Sequence, residues 1–295
     1  MANPACEHRR NFRTDLGHHV QVIPRRVIAI DWSGRGGPDQ RRFIWLCEVV
    51  DDQVQRLESG RLRKAVVEHL VALAAEDPSL VVGLDFAFSV PGWYFSERDL
   101  EAAPELWSLL ADEALTDRMR QDGLRKWIND PEWPFWRTGR PPDLTPDRAF
   151  RQTELEIVAP GTQPKSVFQL VGSGQVGPAS LYGMQALHEL AARGFSIWPF
   201  QPARLPLVVE IFPRLLTGAV IKSNAGARAR YLEPLDLRPE DRAAAIASED
   251  AFDALVSALV MAEASSSLAT LDDRSAYMLE GRIWTRPEHR MDSTT

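Results

Sequence analysis

An α/β fold, with a mixed sheet of five or six strands flanked by helices, is what this sequence predicts. Three observations carry the prediction. Short apolar runs of strand length recur, "RRVIAID" (25–31), "RRFIWLCEVV" (41–50) and "LVVGLDFAF" (80–88). Between the second and third of these lies "LRKAVVEHLVALAAE" (62–76), where Ala65, Val66, Leu70, Leu73 and Ala74 recur at helical spacing. A strong helix, "SEDAFDALVSALVMAEASSSLA" (248–269), comes late in the chain. Ser248 is placed as its N-cap, and Phe252, Leu255, Ala258, Leu259 and Ala262 form its apolar stripe.

The remaining elements follow in order. "QVQRLES" (53–59) reads as a third strand, with Asp51–Asp52 as the hairpin turn before it. Pro78 stops the first helix. A hairpin, then a helix, brings the next strand back parallel to the first. Residues 165–200 read as a strand, a glycine-rich loop, a helix and a strand; "LPLVVEIFPRLL" (205–216) is one more buried strand. From Pro91 to about Pro164 the pattern changes, with five of the nine tryptophans (Trp93, Trp107, Trp127, Trp133, Trp136), many prolines and some helix around 101–128. This Trp-rich stretch (91–164) is an insertion on one domain of residues 25–285, between tails at 1–24 and 286–295. Its aromatics either form a small core or a substrate wall, with Arg137, Arg140, Arg148 and Arg151 set to meet anions.

Bulk properties narrow the function. A chain of 295 residues, 44% hydrophobic and 25% charged, buries a full core and is not a disordered chain. A net charge of −7 makes the whole surface no trap for nucleic acid, so any such binding needs a local basic patch. Cys6 and Cys47 give neither a disulfide framework nor a CxxC zinc site. No signal-peptide core stands near the start, and no run approaches the ~18 apolar residues of a membrane helix. The expectation is a soluble, cytoplasmic protein without a membrane role.

The chemistry lies in the acids. Asp31 ends the first strand, Asp85 the fourth, and Glu210 interrupts the last. Asp250 and Asp253 stand one turn apart at a helix start. A carboxylate beside a core strand is costly unless it is paired, hydrogen-bonded or bound to a cation. Several converging on one sheet edge repel one another, and divalent cations remove that repulsion. Hard oxygen ligands suit Mg²⁺ or Mn²⁺. Two such ions ~4 Å apart activate a water and steady the leaving oxygen of a phosphodiester.

"IAIDWSG", "VVGLDFAFS", "VVEIFP" and "SEDAFDALVSALVMA", in that element order, resemble a family of predicted ribonuclease H-like nucleases, over roughly 25–90 and 165–270. The last motif is also similar to the C-terminal helix of Holliday-junction resolvases of the RuvC type. The resemblance implies a ribonuclease H-like sheet and a nuclease site of carboxylates. Asp31 stands in the centre, Asp85 and Glu210 beside it, and Asp253, with Asp250 second, comes from the helix. The insertion departs from the compact superfamily core.

Other readings compete. "DWSGRGG" fits a phosphate-binding turn of the actin/sugar-kinase type, which implies a nucleotide-dependent phosphotransferase. "GSGQVG" (172–177) matches G-x-G-x-x-G between strand-like and helix-like segments, but the next strand has no acid for a ribose. It also fits a phosphate nest at a helix start, helped by Lys165 and Lys222. A ribonuclease H-like domain that binds nucleic acid or nucleotide without cutting is a third class. Neither G-x-S-x-G nor a P-loop is present. The expected function is metal-dependent hydrolysis of phosphodiesters, with Asp31, Asp85, Glu210 and Asp253 catalytic. Ser33, Lys165, Gly172, Gly174, Arg137 and Arg140 are the expected contacts to a nucleic acid or nucleotide substrate.

Overall fold

The structure, a computed structural model, describes residues 23–128, 133–137, 139–142, 144–157, 165–172, 175–272 and 275–287. Six strands form one mixed sheet: β1 (Arg26–Asp31), β2 (Trp45–Val50), β3 (Gln53–Ser59), β4 (Leu80–Leu84), β5 (Ser196–Ile197) and β6 (Leu207–Glu210). Their order is β3-β2-β1-β4-β6-β5. β1, β4, β6 and β5 run parallel; β2 is antiparallel to β1, and β3 is antiparallel to β2. Asp51 and Asp52 make the β2–β3 turn with φ of 47° and 63°, both left-handed, as a tight two-residue hairpin requires. Helix α1 (Arg63–Glu76) then returns the chain so that β4 lies parallel to β1.

The pleat divides the central strands between two cores. Ile28 and Ile30 of β1, Leu80, Val82 and Leu84 of β4, and Val208 of β6 pack in one cluster. Val27, Ala29, Val81, Leu207 and Val209 pack in the other. Both faces are covered, which is why these strands read as unbroken apolar runs. The insertion supplies α2 (Trp93–Ser96), α3 (Ala103–Ala111), α4 (Glu113–Asp122), α5 (Pro146–Ala149) and α6 (Gln152–Leu155). Together with α7 (Gly177–Ala192) it covers the first face, and Trp107, Trp127, Trp133 and Trp136 lie in the same cluster as Ile28 and Ile30. The insertion therefore shares the core of the sheet. The second face is covered by α8 (Pro213–Thr217), α9 (Ala225–Leu232), α10 (Pro239–Ala247), α11 (Glu249–Glu263) and α12 (Ser265–Leu268).

Two glycines permit this layering. A Cβ on Gly83, in the middle of β4, would stand 2.5 Å from Met261 Sδ of α11, so the bare backbone lets α11 lie directly on the sheet. A Cβ on Gly183 of α7 would stand 2.4 Å from the Phe86 ring. That ring is itself held between Trp32 and Phe88, at centroid distances of 5.3 and 5.1 Å.

Some expectations are corrected. The segment 165–171 is not a strand. Ser166 Oγ donates to Ala149 O and accepts from Phe168 N–H at 3.1 Å, which turns the backbone and leaves a single bridge between Gln169 and Trp136. The run 205–216 keeps strand geometry over four residues, because Pro213 opens α8. Residues 41–44 belong to a 3-10 turn (Pro38–Arg42) and its exit, so β2 starts at Trp45. The tail 1–22 and most of the tail 286–295 lie outside the described residues. No helix among the described residues is long and apolar enough to cross a membrane.

Gly183→Ala is expected to lower unfolding free energy by about 1–3 kcal/mol, because neither helix nor ring has room to retreat. The urea midpoint of the variant measures this, and an unchanged midpoint would contradict the packing.

Candidate active site

Asp31 closes β1, and Asp85 follows β4 with its N–H on Ile30 O at 3.1 Å. The two aspartates thus leave neighbouring parallel strands in the same row. Their neighbours Trp32 and Phe86 point into the first core. Alternation sends both carboxylates to the opposite face, under α11. That helix starts where expected: Ser248 Oγ accepts the Ala251 N–H at 3.2 Å. It carries Asp253, 3% exposed, and Asp250, half-buried one turn earlier. The carboxyl ends of parallel strands, at the place where β1 is flanked by an antiparallel strand on one side, form a natural crevice for ligands.

The three acids, Asp253 buried and Asp31 and Asp85 half-buried, strain one another. Burial, then the charges of Asp85, Asp253 and Asp250, push Asp31 well above the usual carboxylate range. Burial and Asp253 push Asp85 up to about 8. Burial raises Asp253 to about 6, against the pull of Lys222. Asp250 is raised by burial and by Glu249. Lys222, in the loop between α8 and α9, places Nζ on Asp253 Oδ2. Burial pulls the Lys222 ammonium down, but Asp253, with Asp85 and Asp31 behind it, outweighs this and raises it. Asp253 Oδ1 is buried without a partner. Among the described residues no hydrogen-bond donor reaches the carboxylates of Asp31 and Asp85.

Glu210 is placed differently from the expectation. It pairs in register with Leu84 and shares the parity of Val208, so its side chain enters the first core while the aspartates face the second. There Arg151 meets it, with Nη1 on Oε2 at 2.8 Å and Nη2 on Oε1; Oε2 also accepts the Phe88 N–H at 3.0 Å. Arg151 binds Glu154 Oε1 as well, through Nε at 3.0 Å and Nη2 at 2.8 Å. All three residues are buried. Burial works against the charge of Arg151, but Glu154 and Glu210 outweigh it. Glu210 is near enough to raise Asp85 further, yet both its oxygens are committed to an internal clamp.

The expected substrate contacts are scattered. Ser33 is buried, and its Oγ accepts the Arg35 N–H at 3.2 Å. Its neighbour Gly34 abuts α7, where a Cβ would stand 2.6 Å from Ala179 N, so "DWSG" makes a packed corner and no open phosphate turn. Lys165 does approach the acids: with Asp85, Phe86 and Phe212 it lines a cavity of about 50 Å³, room for a few water molecules. Gly172 has a left-handed φ of 102°. Gly177, the last glycine of "GSGQVG", packs against Val167 O, where a Cβ would stand 2.5 Å away. Gly174 lies outside the described residues. Among the described residues no strand precedes that loop, so they lack the dinucleotide context. Arg137 is exposed, and exposed Arg140 donates to Leu144 O. Arg148 pairs with Glu97 at 2.7 Å and covers the Trp93 ring, so Arg148 and Arg151 are not free anion ligands. The aromatics are core rather than wall, for Trp107, Trp127, Trp133 and Trp136 are all buried.

Sequence reasoning overlooked Lys222 as a partner of Asp253 and Arg151 as the partner of Glu210. Neither is adjacent in sequence to its acid. The parity of Glu210 against Val208 was the one available signal. No family model, curated protein or solved structure matches the chain.

The clamp predicts a large loss. Arg151→Met leaves two buried carboxylates uncompensated and is expected to cost about 3–5 kcal/mol in urea unfolding. A loss within ~0.5 kcal/mol would show the pair to be dispensable. The aspartates predict a pH dependence. Their folded pKa values lie above the unfolded ones, so the folded state binds more protons and its stability falls as pH rises. The contribution is complete below the ordinary value of 3.8 and is lost through about 6 for Asp253 and about 8 for Asp85. In chelator, the unfolding free energy is expected to fall over that window by up to ~1.4 kcal/mol per pH unit for each group. Asp85→Asn should flatten the upper part, and an equally steep profile would contradict the assignment.

Proposed function

We propose that the chain is a metal-dependent phosphodiesterase of the ribonuclease H-like kind, acting on a nucleic acid or nucleotide. The observation that carries the reading is the pair Asp31 and Asp85, side by side on one face at the carboxyl ends of parallel strands, below a buried Asp253 with an unpartnered oxygen. Support for the fold family comes from the element order of hairpin, helix, strand and late acidic helix, with the hairpin on one side of β1 and β4 on the other.

The residues fit a divalent ion by their chemistry. Asp31, Asp85 and Asp253 offer hard carboxylate oxygens, and their raised affinity for protons marks a site short of positive charge. Among the described residues no three ligating side chains are already closed around one point, and Lys222 stands on Asp253. Asp31 and Asp85 would hold one ion between them, with Asp253 completing the set and Asp250 at its edge. Mg²⁺ or Mn²⁺ bound there supplies Lewis-acid activation of water and balances charge on the leaving oxygen. Glu210, locked by Arg151, holds the base of the site rather than a ligand position. Lys165, which lines the small cavity with Asp85, is the cation we assign to a substrate phosphate.

Asp31→Asn is expected to weaken Mn²⁺ binding in calorimetry and to lower cleavage of single-stranded, duplex or branched substrates by at least ~100-fold, with the fold intact by circular dichroism. Turnover retained in this variant, or a wild type that cuts none of these in Mn²⁺, would overturn the reading.

A further inference from the structure

We propose that Lys222 is the resident counter-cation of the aspartate site, and that a second divalent ion enters only after displacing its ammonium from Asp253. The inference rests on the metal-site reading above and adds a control on how many ions the site holds.

The contacts are one-sided. Lys222 Nζ bonds Asp253 Oδ2 and leaves the buried Oδ1 of the same carboxylate without a partner. A lysine that satisfied its acid fully would be a structural pair. This one covers half of a carboxylate that stands beside two others. The backbone around Lys222 is fixed. Arg228, 4% exposed, donates to Lys222 O and to the carbonyls of Ala245 and Ile246, the latter two at 3.1 Å through Nε. Arg214 Nη1 holds Val220 O at 2.7 Å. The next residue, Ile221, is 68% exposed, so the loop lies at the surface. A pinned backbone at an open edge lets the four-carbon side chain swing out while the loop stays in place. The Lys222 side chain is already 33% exposed.

Charge counting gives the consequence. Asp31, Asp85, Asp250 and Asp253 carry four negative charges when ionised, and two divalent ions carry four positive ones. One ion together with Lys222 leaves a single negative charge, whereas two ions with Lys222 in place would leave a positive one among groups that are half-buried or buried. Lys222 therefore holds the site at one ion until its ammonium leaves. Lysine suits this task because its charge is compact, hydrated and flexible; a guanidinium would grip the carboxylate with a rigid fork.

Calorimetric titration of Mn²⁺ into the wild type, Lys222→Met and Lys222→Arg tests the proposal, with each variant first shown to be folded by its thermal transition. The wild type is expected to bind one ion tightly and a second more weakly. Lys222→Met should tighten the second ion by at least ~10-fold, the worth of one charge-assisted hydrogen bond removed from competition, and Lys222→Arg should weaken it. Lys222→Gln repeats the test should the methionine variant fail to fold. A purely structural lysine predicts the opposite sign, because its loss would loosen the site. Second-ion binding that is unchanged or weaker in a folded Lys222→Met or Lys222→Gln overturns the displacement while leaving the metal site standing. Absence of Mn²⁺ binding in wild type and variants alike overturns the metal site itself.

Discussion

The constraint on which the rest of this structure depends is the two-residue repeat of its central strands. β1, β4 and β6 are short and buried on both faces, so each side chain is committed to one layer or the other. Where the strands end, the same repeat assigns the acids. Asp31 and Asp85 fall beneath α11, and Glu210, one position out of phase, falls among the insertion helices. A one-residue slip of β6 would bring Glu210 in with the aspartates and leave Arg151 facing apolar side chains. Register thus decides which carboxylates are chemically free and which are structural.

From this follow two kinds of charge cluster. The Arg151 cluster is closed, since every oxygen of Glu210 has a donor and the guanidinium serves two acids. The Asp31, Asp85 and Asp253 cluster is open, because one lysine stands against three acids. Closed networks of this kind hold a core in a single arrangement. Open ones retain appetite for cations. The two meet at one small cavity, which Asp85 lines together with Arg151, Glu154 and Glu210.

Much of the architecture was legible from local chemistry. The Asp51–Asp52 turn, the N-cap of Ser248 and the parallel return through α1 each rest on neighbours in sequence. Asp31, Asp85 and Asp253 were legible because an acid at the end of an apolar run is costly wherever it lies. The bonds of Glu210 were not, since Arg151 is 59 residues away and nothing in the run 205–216 names its partner. Helices α8, α9 and α10 were missed for a different reason. They are short and lack a long apolar stripe, and α9 and α10 are rich in alanine. The segment 165–171 misled because its apolar run follows a serine whose hydroxyl bends the backbone.

The Arg151 clamp has a further consequence for motion. It ties the insertion to β6 through charge rather than through apolar contact alone. Apolar surfaces can part by degrees, each ångström at modest cost. A buried ion pair cannot, because the first separation strands charge in a medium that solvates it poorly. The described segment around Arg151 is therefore tied to the sheet and is no hinged flap. Separation there requires the Arg151–Glu210 pair to break, which couples the backbone near Arg151 to the integrity of β6.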